Sequence, residues 1–265
     1  MRPKTIWRFL LPVVTLWWRE MVRFVRQRHR LLGTLGQPLL FWILLGGGLR
    51  GSFRPPGGPE ELSYAEYVYP GMIAMVLLFT AVFATITIID DRREGFLQAV
   101  LVAPISRSRI VCGQVLGGTT LAWLQGVLFL LLAPAAGVSL TPFAAVASAA
   151  VMFLVAFALT SLGLVIAWRM ETIQGFHAIM NLILVPIWLL SGAFFPASGV
   201  PVWLQWAMRL NPLTYGVAAL RQCLYLENPA LAGDVAPLLP SLLLTLLFGV
   251  VAFGAAAASA RRTAT

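Results

Sequence analysis

Six apolar runs of roughly 20 residues, separated by short polar breaks, dominate this chain. A run of this length spans the hydrocarbon core of a bilayer as an α-helix. The pattern therefore predicts an all-α polytopic membrane protein, and a content of 59% hydrophobic against 11% charged residues excludes an ordinary soluble domain. The six predicted transmembrane helices cover residues 31–49, 68–89, 110–133, 143–168, 173–195 and 236–258.

Two regions outside these spans predict helices of another kind. Residues 1–30 combine an apolar stripe with arginines on another face, which is typical of a helix lying in the membrane interface. We expect a cytoplasmic arm there, or a simple anchor, followed by a six-span transmembrane domain at 31–265. Between spans five and six, Asn211 and Pro212 are suited to the start of a short helix. We expect two short re-entrant helices there, dipping into the outer leaflet.

Basic residues set the predicted orientation. If the N-terminus is cytoplasmic, 15 of the 19 lysines and arginines lie on the cytoplasmic side and four lie outside. Both termini are then cytoplasmic. The net charge of +9 resides at span ends, which favours membrane lipid headgroups over nucleic acid as partners. Within span three, Gly113, Gly117 and Gly118 predict a face for close helix contact.

The most densely charged segment between the arm and the C-terminal tail is Asp90–Arg109, DDRREGFLQAVLVAPISRSR. Apolar residues at helical spacing predict a short amphipathic helix on the membrane surface, which Pro104 ends. Such a helix is suited to docking a cytosolic partner. The alternative is a basic cytoplasmic loop that only sets orientation.

Two motifs resemble a known family. GFLQAVLVAPISRSRIVCGQVLGG, from Gly95, is similar to the signature loop of type-2 ABC exporter permeases, and LLSGAFFPASGVPVWLQWAMRLNPLTYGVAALR, residues 189–221, is similar to their last extracellular stretch. The resemblance implies the membrane subunit of an exporter in the bacterial inner membrane. It also implies two copies of a separate ATPase carrying ATP and Mg, and a second permease copy as a homodimer or heterodimer. Gln98 departs from the family, where a second acid is frequent.

The resemblance assigns coupling to the ATPase to one set of residues, with charge contacts from the first three and apolar contacts from the later ones. They are Arg92, Arg93, Glu94, Gly95, Phe96, Leu97, Val100, Leu101 and Pro104.

Two further groups are candidates for a substrate path. Gln174, His177 and Asn181 lie along one face of span five and either face a substrate path or the dimer axis, or make interhelical hydrogen bonds. Ser191, Gly192 and Pro196, at the outer end of that span, form either an external gate, as the family pattern implies, or a simple helix end.

No catalytic or metal site is expected. Two cysteines, predicted on opposite sides of the membrane, and two histidines make no metal cluster. The only lysine is Lys4, so these residues hold no P-loop, and an ATP-driven mechanism needs a separate ATPase. The resulting hypothesis is export of an amphipathic or lipid-linked substrate, such as a drug, lipid or glycan. The alternatives are an ATPase-independent secondary transporter or channel, a membrane scaffold, and an intramembrane enzyme.

Overall fold

The computed structural model describes residues 3–26, 28–48, 63–102 and 105–262, and the regular elements in these ranges are all helical. Short 3-10 turns and one π-helical segment, Leu189–Ala193, link the α-helices. The α-helices are α1 Pro3–Arg26, α2 Arg28–Gly48, α3 Tyr64–Ala84, α4 Thr87–Arg93, α5 Phe96–Val102, α6 Arg107–Leu130, α7 Pro142–Ala167, α8 Ile173–Trp188, α9 Val202–Leu210, α10 Pro212–Leu224 and α11 Leu238–Arg262.

Five helical segments are long and apolar enough to cross a membrane. They are Tyr64–Arg93, Arg107–Leu130, Pro142–Ala167, Ile173–Ala193 and Leu238–Arg261. Each coincides, within a few residues, with one of the predicted spans. The predicted first span corresponds to α2, whose apolar part is the shorter stretch Leu35–Gly48.

The centre of the bundle is α3, whose side chains are buried on almost every side. Residues apolar all round a helix are expected where the helix has no solvent or lipid face. A capping box fixes its start: the Ser63 hydroxyl accepts from the backbone N–H of Glu66, and the Glu66 carboxylate accepts from the backbone N–H of Ser63 at 2.8 Å. Because α3 contacts α2, α6, α7 and α8, a displacement at either of its ends reaches most of the bundle.

The N-terminal helix α1 packs along α6. A Cβ on Gly113 would lie 2.8 Å from the Leu16 Cβ, and one on Gly117 would lie 2.9 Å from the Glu20 Cγ, so only glycine permits this approach. The predicted small-residue face of span three is therefore confirmed. The opposite side of α1 exposes Leu10, Leu11, Val14 and Trp18. Its apolar surface thus has two parts, one on the protein and one facing outward.

The stretch between the last two spans folds into the two predicted short helices, α9 and α10. Asn211 caps α10, where its side chain accepts from the Leu213 N–H at 3.0 Å and Pro212 occupies the first turn. Both features were predicted and are confirmed. At 13 residues α10 is too short to cross a bilayer, and it packs instead against α7 and α11.

Candidate functional site

The predicted coupling segment forms two helices rather than one. Helix α4 ends at Arg93, and α5 begins at Phe96 after a turn at Glu94 and Gly95. Gly95 has φ = 77°, a left-handed conformation that glycine adopts without strain. The chain therefore changes direction between the end of the membrane helix and the short amphipathic helix. The last described residue of α5 is Val102, and Pro104 lies outside the described residues.

The exposed face of α5 differs from the predicted apolar face. Leu97 is 4% exposed and belongs to the core of the bundle. Phe96 is 38% exposed, and the Arg19 guanidinium carbon lies 4.1 Å from the centre of the Phe96 ring. Val100 is half-buried. The Leu101 side chain lies outside the described part. Besides Phe96, the outward residues are Gln98, Ala99 and Val102, the last 85% exposed. In this conformation Leu97 is therefore not part of the exposed surface of α5.

A cluster of charged residues ties α1 to this segment. The Asp91 carboxylate, 1% exposed, accepts from the Arg19 guanidinium and from Arg23, the latter at 3.3 Å. Arg19 also donates to the buried Glu20 carboxylate at 3.0 Å, and Arg23 lies 3.8 Å from the exposed Glu94. We call these five residues the Asp91 cluster. Sequence reasoning missed it, although Arg19 and Arg23 stand one helical turn apart on α1 and so face the same way.

The pKa values of Glu20 and Arg19 are both raised, for different reasons. Burial raises the pKa of Glu20 above its ordinary value, the Arg19 hydrogen bond and charge oppose that rise, and the nearby Asp91 carboxylate adds to it. The Arg19 guanidinium lies between both acids. Burial lowers its pKa, but the hydrogen bonds and charges of Asp91 and Glu20 raise the pKa by more, so that the pKa lies above its ordinary value. Burial of Glu20 therefore works against its charged form, and the contact with Arg19 works in favour of it.

The predicted partner-binding arginines are not equivalent. The Arg92 guanidinium donates to the Trp168 carbonyl at 2.9 Å and to the Met170 carbonyl at 3.1 Å, so it fixes α4 to the loop after α7. Arg93 and Glu94 are exposed. The charge available to a partner at this point is thus carried by Arg93 and Glu94.

The polar stripe of span five lies on the exposed side of α8. Gln174, His177 and Asn181 are all exposed, and the His177 ring lies 4.9 Å from the Phe83 ring. His177 also lines a cleft of about 430 Å³ between α2, α3 and α8, together with Gln37. We call this the α2–α8 cleft.

The other predicted path residues are in a different place. Ser191, Gly192 and Pro196 line a second cavity of about 440 Å³, formed by the start of α3, the π-helical segment, α9, α10 and the loop before α11. Because Tyr67 lies at the start of α3 and Asp91 on α4 beyond its end, this cavity and the Asp91 cluster lie at opposite ends of one membrane helix. Arg221 also lines it, and we call it the Arg221 cavity.

Side chains of α10 satisfy the carbonyls of the irregular end of α8. Asn211 donates to the Ile187 carbonyl at 2.6 Å, Thr214 to the Leu190 carbonyl at 3.2 Å, and Arg221 to the Gly192 carbonyl at 3.2 Å. Non-helical backbone at membrane depth requires such partners. The sequence motif that ends in Arg221 therefore has a structural role, which its resemblance to a family did not reveal.

Comparison with known proteins agrees with this architecture. A family model described as ABC-2 type transporter matches residues 12–225, which is most of the chain. The chain belongs to the ABC-2 type transporter family. The matched part of the permease contains the Asp91 cluster, the α2–α8 cleft and Arg221.

Named relatives are also permeases or related proteins. The putative transport permease ycf38 of Cyanophora paradoxa is 29% identical over 217 residues, covering 80% of this chain and 74% of the relative. Nodulation protein J of Rhizobium leguminosarum bv. trifolii is 29% identical over 211 residues, covering 78% of this chain and 79% of that protein. The probable multidrug ABC transporter permease YbhR of Escherichia coli K12 is 28% identical over 200 residues, 73% of this chain and 52% of the relative. The permease is therefore a membrane transport protein with apolar transmembrane helices.

Proposed function

We propose that the permease is the membrane subunit of an ATP-driven exporter and moves an amphipathic or lipid-linked substrate across the bacterial inner membrane. The functional complex contains two copies of a separate ATPase, which hold ATP and Mg, and a second permease copy. Family membership and the YbhR relative, whose name describes a multidrug ABC transporter permease, support this proposal. The single observation that carries it is the Asp91 cluster, because it joins the arm and the coupling segment into one mechanical unit.

The coupling step follows from that unit. An ATPase that pushes on the outward residues of α5 and on Glu94 also moves α1, because Asp91 is bonded to Arg19 and Arg23. It also moves α3, because α4 follows α3 after only Thr85 and Ile86. The proposed movement therefore starts at α5 and reaches the centre of the bundle. Asp91 acts here as a positioning residue, and Glu94 is a contact residue.

The proposed topology has six spans, with α2 as the first and both termini in the cytoplasm. The positions of 15 of the 19 basic residues support it. With this orientation α9 and α10 lie at the outer side. The exposed Trp203 and Trp206 on α9 are residues that favour the membrane interface, which supports a position in the outer leaflet.

A second permease copy explains the difference between two exposed faces. The outward face of α11 is apolar, with Leu243, Leu247 and Val251 exposed, as expected for contact with lipid tails. The outward face of α8 carries Gln174, His177 and Asn181 among its apolar residues. Polar side chains at membrane depth usually face protein or a water-filled path. We therefore place the partner copy and the substrate path at the α2–α8 cleft.

The first experiment is purification of the tagged permease from native membranes in mild detergent, with identification of the proteins that accompany it. A stoichiometric soluble protein containing GxxxxGK[ST] is the expected result. A permease that purifies alone and moves solute in liposomes without ATP would contradict the proposal and favour a secondary transporter or channel.

The coupling surface has its own test. Glu94→Arg combined with Val102→Asp changes two exposed side chains of the segment, and we expect export to fall at least about tenfold while the ATPase still hydrolyses ATP. The matched control is Glu171→Arg, the same charge reversal at an exposed residue of the loop between α7 and α8. Normal export in the double variant, or an equal loss in the control, would remove α5 from the coupling mechanism.

A further inference from the structure

We propose that the Arg221 cavity is a binding site for a net-anionic phosphate head group. The site lies at the opposite end of the bundle from the Asp91 cluster and is separate from the α2–α8 cleft. The inference rests on the geometry of the cavity and does not require an ATPase partner.

The first argument is the uncompensated charge of Arg221. The residue is 3% exposed, and its recorded hydrogen bonds go to two neutral backbone carbonyls, those of Tyr67 at 3.1 Å and Gly192 at 3.2 Å. Its Nε has no hydrogen-bond partner among the residues that the structure describes. Within the described ranges, no carboxylate lies within 4.0 Å of its guanidinium. A buried cation without a counter-ion is costly, so a bound anion would stabilise this arrangement.

The Tyr67 ring does not replace an anion. The guanidinium carbon lies 4.2 Å from the ring centre, which is a favourable cation–π distance. That interaction orients the guanidinium and holds it at the start of α3, but it carries no net negative charge. Arginine is suited to phosphate because its planar fork matches two phosphate oxygens.

The second argument is the composition of the cavity. Two cations line it, Arg221 and the exposed Arg209, against one exposed acid, Asp234. Met208, Val217 and Leu231 supply apolar walls. The volume of about 440 Å³ lies within the range of small-molecule sites, roughly 300–1,000 Å³. A head group with attached apolar chains fits this combination, and so does a free phosphate compound.

Binding is best measured with the purified permease in nanodiscs of phosphatidylcholine. The probes are dihexanoyl-phosphatidylglycerol, which is net-anionic, dihexanoyl-phosphatidylcholine, whose choline cancels the phosphate charge, and inorganic phosphate. We expect the anionic probe to bind at least about tenfold more tightly than the zwitterionic one, because both carry the same phosphodiester but the choline cation of the second is repelled by Arg221.

Matched variants assign the effect to one arginine. Arg221→Gln is expected to bring the affinity for phosphatidylglycerol down to that for phosphatidylcholine. Arg209→Gln removes the same charge from the rim and is expected to change the affinity less than about threefold, because exposed charges are screened. An unchanged affinity in Arg221→Gln, or equal losses in both variants, would overturn the proposal.

A second variant, Val235→Trp, distinguishes loss of binding from misfolding caused by the loss of the Arg221 hydrogen bonds. Val235→Trp fills the cavity from the loop before α11 and leaves the recorded bonds of Arg221 in place, so we expect it to abolish binding of the anionic probe. Full affinity in Val235→Trp would also overturn the proposal.

Competition by inorganic phosphate identifies a free phosphate compound as the ligand, whereas binding of phosphatidylglycerol without such competition identifies a lipid. Neither assay contains ATP, so failure here leaves the exporter proposal intact, and the reverse also holds.

Discussion

Two arginines at opposite ends of the bundle, Arg19 half-buried and Arg221 buried, have opposite surroundings. Arg19 shares the carboxylates of Glu20 and Asp91, so its charge is balanced inside the protein. Arg221 donates to backbone carbonyls, and in the described part of the chain no carboxylate lies within 4.0 Å of its guanidinium. Balanced charges fasten one helix to another, whereas an unbalanced charge remains available to a ligand. The same residue type thus fastens two helices at one end of the bundle and belongs to the proposed binding site at the other.

Asp91→Ala should have the largest effect, because it removes the balance at the joint. Arg19 and Arg23 would lose their shared carboxylate, and breaking such a buried pair costs about 3 kcal/mol. We expect a lower thermal unfolding temperature in detergent and loss of export. The control is Asp90→Ala, the neighbouring aspartate, which is only half-buried. If Asp90→Ala lowered the unfolding temperature as much as Asp91→Ala, the cluster would have no special role.

Gly71→Ala tests whether the cavity end is held by close packing rather than by charge. A Cβ on Gly71 would lie 2.4 Å from the Ala193 Cβ and 2.8 Å from its Cα, so α3 and the π-helical segment would have to separate. Overpacking of this kind costs about 2 kcal/mol, visible as reduced thermal stability. Gly254→Ala, where the added Cβ meets open space on α11, should leave stability equal or slightly higher. Equal stability in both variants would contradict the close approach.

Ala218→Glu sharpens the comparison by giving Arg221 the partner that Arg19 already has. Ala218 lines the cavity one turn before Arg221 on α10, so the new carboxylate reaches the guanidinium. We expect the affinity for phosphatidylglycerol to fall about tenfold, equivalent to about 1.4 kcal/mol. Ala218→Gln has nearly the same shape and no charge. An equal loss in both variants would mean that bulk, and not charge, controls the cavity.

Glu20→Gln should have the smallest effect, and it depends on pH. Because burial raises the pKa of Glu20, its contribution to stability is full below the ordinary carboxyl pKa and is lost as the pH rises through the higher folded value. The wild type should therefore lose stability over that window, while Glu20→Gln should lose less and be slightly more stable at neutral pH. The measurement is the unfolding temperature of both proteins from pH 4 to pH 8, roughly the window above the ordinary carboxyl pKa. If both proteins lost stability equally over this window, Glu20 would not titrate there.

Local patterns predicted much of the fold. Five of the six predicted spans, the cap at Asn211 and the contact face of Gly113 and Gly117 were found, and all of them depend on residues a few positions apart. The pairing of Arg19 with Asp91 joins residues 72 positions apart, and no periodicity encodes it. The sequence places Arg221 at the end of the motif 189–221. Its burial depends on where α3 and the π-helical segment meet, which no local pattern predicts. The burial of Leu97 likewise depends on the direction in which α5 leaves Gly95.

The hydrogen bonds between α10 and the end of α8 determine how this end of the permease is able to deform. Asn211, Thr214 and Arg221 each donate to a carbonyl of the irregular segment, so separating the two elements breaks three bonds together, at about 1 kcal/mol each. We therefore expect α10 and the end of α8 to move together as one rigid unit. The loop before α11 closes the other side of the opening and is joined to α10 by the bond from Gln222 to the Ala236 carbonyl at 2.5 Å, so we expect any widening of the cavity to fall on this loop.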